Sequence, residues 1–117
     1  MTTLIKSATI IDTSSPYHNQ KKDILINNGV IIKIEDSITS KDNYEVISLN
    51  NLHVSCGWFD SSVSLGEPGF EERETIKNGL NVAAKSGFTS VAVNANTNPI
   101  IDNKSSVEFL QNKAFGF

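Results

Sequence analysis

The chain has 117 residues, a formal net charge of −3 and one cysteine, and its composition is that of an ordinary soluble globular protein long enough for one domain with a sizeable core. Its densest basic spot, Lys21-Lys22, is too small to neutralise several phosphates, so we expect no nucleic-acid partner. No apolar run approaches the roughly twenty residues of a membrane-spanning helix, so we expect no membrane association and a cytoplasmic location.

Short strands are predicted over the first half of the chain. Residues 4–11 alternate as a strand, and residues 23–26 and 30–34 flank the turn-forming Asn27-Asn28-Gly29 as a hairpin. Two further strands are predicted at 44–49 and 52–54. Strands this close together favour a small antiparallel sheet or half of a sandwich.

The pattern changes after Gly57. Residues 58–65 predict a strand, residues 71–86 a helix that Gly87 ends, and the β-branched run at 88–95 a strand covered on both faces. The helix is predicted from one apolar face and from acids in its first turn: Ile76, Leu80, Ala83 and Ala84, and Glu71, Glu72 and Glu74. Strand, helix and strand form a βαβ unit, whose two strands should be parallel.

A second helix is predicted to open at Ser105 or Ser106, with Ser105 and Glu108 spaced as a capping box. Its inward side chains would be Val107, Leu110 and Ala114. The fold class is therefore α/β, with a β-rich first part at residues 1–56 and a βαβα part at residues 57–117. The lone Cys56 cannot form an internal disulfide and is expected to be a buried small residue.

The loops after the two parallel strands are the expected ligand-binding positions, because helix N-termini and free backbone amides converge there. Asp60, Ser62 and Ser64 alternate along the first of these strands and should share one face. Serine is a poor metal ligand, and His18 and His53 form no ligand pair, so we expect no metal site in this chain alone.

Catalysis and ligand binding remain open at this point. Ser62 or Ser64 as a nucleophile would need a nearby base and an oxyanion site, and the sequence indicates neither, so no catalytic residue is predicted. Asn96 and Asn98 suit a turn, and their side chains could instead bind a carboxylate or an amide.

Several separate motifs point to one family. Glu67-Pro68-Gly69-Phe70-Glu71, Glu74-Thr75-Ile76, Gly87-Phe88-Thr89 and Asn96-Thr97-Asn98-Pro99 follow one another in order and spacing. Together they resemble the dihydroorotases of the amidohydrolase superfamily. The family sequence in this region is close to Asp-x-His-x-His-x-Arg-Glu-Pro-Gly, followed by Glu-Thr-Ile, Gly-Gly-Phe-Thr and Pro-Asn-Thr-Asn-Pro. The likeness extends more weakly over the leading sheet.

This resemblance implies a zinc-dependent cyclic-amide hydrolase of pyrimidine biosynthesis that interconverts carbamoyl aspartate and dihydroorotate on a (β/α)8 barrel. It places the two metal-binding histidines at Ser62 and Ser64, the carboxylate-binding arginine at Gly66, and a helping asparagine at Asn96. Three of these four are replaced, and only Asn96 remains as a substrate-binding candidate. Asp60 matches the aspartate before the histidines and is a candidate for orienting the metal ligands.

The resemblance also sets expectations about size and role. A (β/α)8 barrel takes about 250 residues, so we expect an incomplete barrel and an N-terminal piece of a longer protein; a naturally short chain that pairs with a partner is the alternative. The favoured hypothesis is an inactive homologue without cofactor, acting as a homo-oligomer or as a structural or regulatory partner of an active dihydroorotase or of aspartate transcarbamoylase. The alternatives are an enzyme whose metal ligands come from later strands, and a small-molecule binding module that uses Asn94, Asn96 and Asn98.

Overall fold

The computed structural model describes residues 1–116. They divide into two compact units, Met1–Cys56 and a second unit that starts at Gly57. The first unit holds a five-stranded sheet, and the second combines a two-stranded sheet with two helices. The predicted α/β class is confirmed at this level, while the assignment of the two parts to a sandwich-like subdomain and a barrel stays a prediction.

The first sheet is built around its long first strand. Its strands are β1 (Thr2–Ile11), β2 (Lys21–Asn27), β3 (Val30–Glu35), β4 (Glu45–Ile47) and β5 (His53–Ser55). The β1–β2 and β2–β3 pairs are antiparallel, whereas β4 and β5 both pair with β1 in parallel. The prediction of an antiparallel sheet is therefore wrong for β4 and β5. These two short strands lie along the same edge of β1, β4 beside its first half and β5 beside its second half.

The predicted hairpin is confirmed. A two-residue turn joins β2 to β3, with φ of 48° at Asn28 and 80° at Gly29, the left-handed values that such a turn requires. The buried cluster beneath the sheet consists of Leu4, Leu25 and Ile38. The prediction that Cys56 is buried is wrong, since the thiol is exposed at the end of this unit.

A buried carboxylate joins β1, β2 and the segment after β3. Asp23 is 1% exposed, forms an ion pair with Lys6, and accepts hydrogen bonds from the backbone N–H groups of Ser7 and Ile38, both at 2.8 Å. Burial acts to raise the pKa of Asp23, but the hydrogen bonds from Lys6 and the two N–H groups outweigh it and hold that pKa below its ordinary value. Asp23 is therefore charged and fully paired at neutral pH.

The second unit is a βαβα segment. Its elements are β6 (Trp58–Val63), α1 (Ile76–Lys85), β7 (Phe88–Val93) and α2 (Lys104–Ala114). β6 and β7 pair in parallel, as the βαβ prediction requires. Within residues 1–116, no helix is long and apolar enough to cross a membrane.

Helix α1 begins later than predicted. Its N-cap is Thr75, whose side chain accepts a hydrogen bond from the N–H of Asn78 at 3.2 Å, and its first turn holds no acid. The predicted start at Glu71 is wrong because the preceding segment forms a separate turn, in which the Phe70 N–H donates to the carbonyl of Gly66 at 2.7 Å. The buried carboxylate of Glu67 accepts the Ile76 N–H at 3.2 Å and fixes where the helix starts.

Helix α2 also begins with a different cap. Asn103 and Ser106 form the capping box, two residues before the predicted pair of Ser105 and Glu108. Leu110 and Ala114 are half-buried as predicted, but Val107 is 44% exposed, so its inward placement is wrong. The cap moves toward the N-terminus because the Asn103 side chain reaches the Ser106 N–H at 3.1 Å.

Replacing Asp23 tests the anchor of the first unit. Asp23→Asn should lower the free energy of unfolding of this unit by about 3 kcal/mol, because it leaves the Lys6 ammonium without its buried counter-charge. Because the folded-state pKa lies below the ordinary value of 3.8, the contribution of Asp23 is complete above that value and disappears as pH falls through the lower folded-state pKa. Amide hydrogen exchange along β2 measures both effects.

The matched control is Asp36→Asn. The side chain of Asp36 is 88% exposed in its ion pair with Lys22, so its loss should change stability by less than about 0.5 kcal/mol. The anchor role would be contradicted if the two substitutions changed stability equally. It would also be contradicted if the Asp23→Asn variant lost stability in acid as steeply as the unaltered chain.

Candidate functional site

The carboxyl ends of β6 and β7 lie side by side. Their parallel pairing is extended one step past β7 by the Asn94 N–H, which donates to the Val63 carbonyl at 2.8 Å. Residues that follow the two strands are therefore neighbours although about thirty positions separate them in sequence. This is the edge at which ligands bind in parallel α/β proteins.

Four side chains meet at this edge and form what we call the amide–hydroxyl cluster: Ser62, Ser64, Asn94 and Asn96. The Asn94 side-chain amide donates to the hydroxyls of Ser62 and Ser64 at 3.2 and 3.3 Å. The Asn96 amide donates to the Ser64 hydroxyl at 2.9 Å. The cluster is uncharged, and three of its four residues are exposed, Asn94 being half-buried.

Two other predicted residues, Asp60 and Asn98, make hydrogen bonds of a different kind, each involving the backbone. The Asp60 carboxylate turns onto its own strand and accepts the Ser62 backbone N–H at 3.0 Å. Asn98 reaches the first loop through its backbone, its N–H donating to the Pro68 carbonyl at 3.0 Å. The alternation of Asp60, Ser62 and Ser64 thus brings the two serines together and leaves the carboxylate bonded to the backbone of its own strand.

The first loop has closed around Gly66. A Cβ atom on this residue would lie 2.2 Å from the Phe70 carbonyl oxygen and 2.7 Å from that of Glu74. No side chain fits there unless the turn at residues 66–74 opens. The resemblance places a carboxylate-binding arginine at this position. Gly66 has no guanidinium, and the backbone of Phe70 and Glu74 occupies the space that an arginine side chain would need.

Two contacts hold this loop against its surroundings. Gly69 has φ of 95°, and a Cβ there would lie 1.9 Å from the Asn98 carbonyl oxygen, so the loops after β6 and β7 touch backbone to backbone. The Glu67 carboxylate pairs with Lys113 of α2 at 2.9 Å. The hydrogen bond from Lys113 outweighs burial and lowers the pKa of Glu67, so this carboxylate is charged at neutral pH.

The cluster does not fit the zinc ion that the resemblance implies. Zinc is held by imidazole, thiolate or carboxylate groups, and the cluster offers hydroxyls and amides. The serine oxygens already accept amide hydrogen bonds, and across residues 1–116 no three His, Cys, Asp or Glu side chains lie close enough together to hold a metal. No catalytic step can therefore be derived through a metal at these residues.

Nucleophilic catalysis has no support in this geometry. A serine nucleophile needs a base that accepts its hydroxyl proton, whereas the side-chain groups bonded to the Ser62 and Ser64 hydroxyls are amide donors. His18 and His53 belong to the first unit. The expectation of no catalytic residue in this chain stays a prediction.

Asn94 was predicted only as part of a small-molecule binding module, and its contact with the two serines was not predicted. It follows β7 directly and bonds to both serines, which makes it the centre of the cluster. The signal was its position immediately after the second parallel strand, where its side chain faces the end of the first. Its pairing with Ser62 and Ser64 depends on the β6–β7 register, which the sequence pattern does not provide.

The chain was compared with known proteins. The family model described as "Dihydro-orotase-like" matches residues 53–115. Dihydroorotases of Ruminiclostridium cellulolyticum and Thermoanaerobacter sp. are 39% and 41% identical to it over 114 residues, 97% of this chain and 26% of each relative. A crystal structure of D-hydantoinase superposes with a TM-score of 0.72 at 26% identity, over 97% of this chain and 24% of that one.

The chain thus spans about a quarter of the length of the curated relatives it matches. The family model covers more than half of the chain and includes both strands, both helices and the cluster of the second unit. These matches confirm the resemblance found in the motifs, and they show that the chain belongs to the dihydroorotase-like family.

Proposed function

We propose that this chain is a catalytically inactive member of the dihydroorotase-like family. The observation that carries the proposal is the amide–hydroxyl cluster at the ends of β6 and β7. Where the family resemblance calls for two imidazoles, Ser62 and Ser64 instead accept hydrogen bonds from Asn94 and Asn96. A neutral cluster of this kind cannot position a metal-activated water for attack on a cyclic amide.

The closed loop supports the same conclusion independently. An active site that hydrolyses a carboxylate-bearing ring needs a cation to hold that carboxylate, and arginine does so through two parallel hydrogen bonds. The backbone of Phe70 and Glu74 fills the space beside Gly66. Restoring the arginine would require a different loop conformation, so the loss involves the backbone as well as one side chain.

The scaffold of the family is retained while its chemistry is replaced. Gly69 is required by the close approach of the Asn98 carbonyl, and Gly87 has φ of 91° directly after α1. Both glycines are required by the backbone conformation at their positions. We therefore propose a structural or regulatory role, in a complex with an active dihydroorotase or with aspartate transcarbamoylase.

We also propose that the second unit is the first part of a (β/α)8 barrel and that the first unit is sandwich-like. The parallel β6–β7 pair with α1 between its strands is the repeating unit of such a barrel. The D-hydantoinase superposition, which covers 97% of this chain, supports this assignment.

Restoring two imidazoles tests the reading of the cluster. The unaltered chain should bind no zinc at stoichiometric level. The Ser62→His/Ser64→His variant should bind one zinc ion per chain at least tenfold more tightly. The reason is that the Asn94 amide contacts both serine hydroxyls, so the two positions lie close together. Isothermal titration with zinc, followed by elemental analysis after gel filtration, measures this.

The control adds two histidines that cannot meet. Ser105 and Asn112 are exposed positions seven residues apart on α2, roughly 10 Å along the helix axis. Ser105→His/Asn112→His should leave zinc binding as weak as in the unaltered chain. Tight stoichiometric zinc binding by the unaltered chain would overturn the proposal, and turnover of dihydroorotate by it would do the same.

Complex formation is tested by mixing purified proteins. The chain should increase the mass of a purified dihydroorotase or of aspartate transcarbamoylase by whole multiples of 12.8 kDa in light scattering after gel filtration. Lysozyme serves as the bystander protein that should show no change. Separate elution of the chain from both enzymes at micromolar concentrations would contradict the partner role.

Ligand binding through Asn96 is the second candidate, favoured by the exposure of this side chain at the strand ends. One amide hydrogen of Asn96 is bonded to Ser64, and the other is available to a carboxylate. If carbamoyl aspartate binds there, Asn96→Ala should weaken binding about tenfold in calorimetry, the loss expected for one charge-assisted hydrogen bond. The control is Asn112→Ala, which should leave binding unchanged. If Asn96→Ala binds carbamoyl aspartate as tightly as this control, Asn96 does not hold the ligand.

A further inference from the structure

Two Asn-Gly pairs occur in the chain, Asn28-Gly29 and Asn78-Gly79. Such a pair can modify itself, because the backbone nitrogen of the glycine can attack the side-chain carbonyl carbon of the asparagine and no Cβ hinders it. The reaction needs a glycine N–H that no acceptor holds and a backbone free to bring the two atoms together. The sequence does not distinguish the two pairs, whereas their structural surroundings do.

The Asn28-Gly29 pair is open to reaction. It forms the two-residue turn between β2 and β3, where Asn27 pairs with Val30, and all four residues are exposed. Among residues 1–116, no group accepts a hydrogen bond from the Gly29 N–H. A Cβ atom on Gly29 would meet nothing within 4 Å, so the surroundings leave room for the turn to change its conformation.

The side chain of Asn28 has its carbonyl oxygen beside a positive charge. The Met1 ammonium donates to this oxygen at 2.8 Å, and the Asn28 N–H donates to the Met1 carbonyl at 3.0 Å. Negative charge develops on the side-chain oxygen when a nucleophile adds to the carbon that carries it, and a nearby ammonium stabilises that charge. The structure therefore supplies electrostatic assistance at the carbon that the Gly29 nitrogen must attack.

The Asn78-Gly79 pair is held closed by helix α1. The Gly79 N–H donates to the Thr75 carbonyl at 3.0 Å, and the Asn78 side-chain amide donates to the Glu74 carboxylate at 2.7 Å. A Cβ atom on Gly79 would lie 2.4 Å from the Leu65 side chain, so the helix packs closely there. Attack by the Gly79 nitrogen would require α1 to unfold locally.

We propose that Asn28 is a self-modification site whose conversion loosens the β2–β3 hairpin. The Gly29 nitrogen loses its proton to solvent and bonds to the Asn28 side-chain carbon, and the amide nitrogen leaves as ammonia, which gives a cyclic imide. Water then opens this ring at either carbonyl, and the product is aspartate or isoaspartate at position 28. The site lies in the first unit, so it is independent of the amide–hydroxyl cluster.

The isoaspartate product changes the backbone of the turn. Its main chain runs through the former side chain and is longer by one carbon atom, whereas the turn has only two residues between the paired Asn27 and Val30. Aspartate keeps the original backbone and places a carboxylate beside the Met1 ammonium. The isoaspartyl form should therefore lose the pairing at the end of the hairpin, and the aspartyl form should keep it.

Peptide mapping of the folded chain tests the site. After incubation in mildly alkaline buffer, mass spectrometry should find Asn28 converted at least about tenfold faster than Asn78, because only the second pair is closed by a helix. In urea both pairs lose their surroundings and should convert at similar rates, which makes Asn78 a matched internal control. Equal rates at the two positions in the folded chain would overturn the proposal, as would conversion of Asn28 in urea alone.

A variant tests which nitrogen attacks. Gly29 has φ of 80°, a value that asparagine tolerates better than other side chains do, so Gly29→Asn should retain the turn. The added side chain crowds the attacking nitrogen and should slow conversion of Asn28 at least about tenfold in the same peptide map. Undiminished conversion in this variant would contradict attack by the Gly29 nitrogen.

Hydrogen exchange tests the effect on the hairpin. The Val30 amide should exchange at least about tenfold faster in the purified isoaspartyl form than in the unconverted chain, because the pairing with Asn27 is lost. The amides of α1 lie in the other unit and should exchange at the same rate in both forms. Equal exchange of the Val30 amide in the two forms would contradict the loosening of the hairpin.

Discussion

Parallel pairing of β6 with β7 is the constraint on which the second unit depends. It places Val63 and Asn94 next to each other and so brings together two loops that are distant in sequence. The backbone contact between Gly69 and Asn98 locks the loops in this arrangement. The amide–hydroxyl cluster follows from this arrangement, because its serines precede the first loop and its asparagines lie in the second.

The site shows how a family scaffold can keep its geometry while its chemistry changes. Hydroxyl and amide side chains satisfy one another at the strand ends, so the edge stays ordered without an ion to bridge it. The charged groups nearby serve the scaffold: Glu67 fixes the start of α1 and pairs with α2 through Lys113. Burial and charge in this unit therefore stabilise loops and helices, and the exposed strand ends carry no net charge.

Much of this architecture could be predicted from sequence, because it rests on local patterns. The hairpin followed from Asn28-Gly29, and the βαβ unit from the change of apolar period after Gly57. Ser62 and Ser64 were found because they alternate within the segment predicted as a strand, although β6 ends at Val63 and Ser64 follows it. These features need only the residues within one element and its neighbours along the chain.

The errors arose where distant residues decide the outcome. The start of α1 is set by Glu67, nine residues upstream, and the carboxylate overrides the acids that suggested an earlier start. The parallel placement of β4 and β5 depends on pairing with β1, since strands of three residues carry no pattern of their own. The central place of Asn94 depends on strand register, and the closure around Gly66 depends on the path of the loop.

The central claim is that the strand ends form a self-satisfied polar cluster in place of a metal site. Crystals of the chain grown in excess zinc and measured at the zinc absorption edge test it most directly. The account predicts no anomalous peak between Ser62 and Ser64 and both serines bonded to the Asn94 amide. An anomalous peak coordinated by these side chains would contradict it.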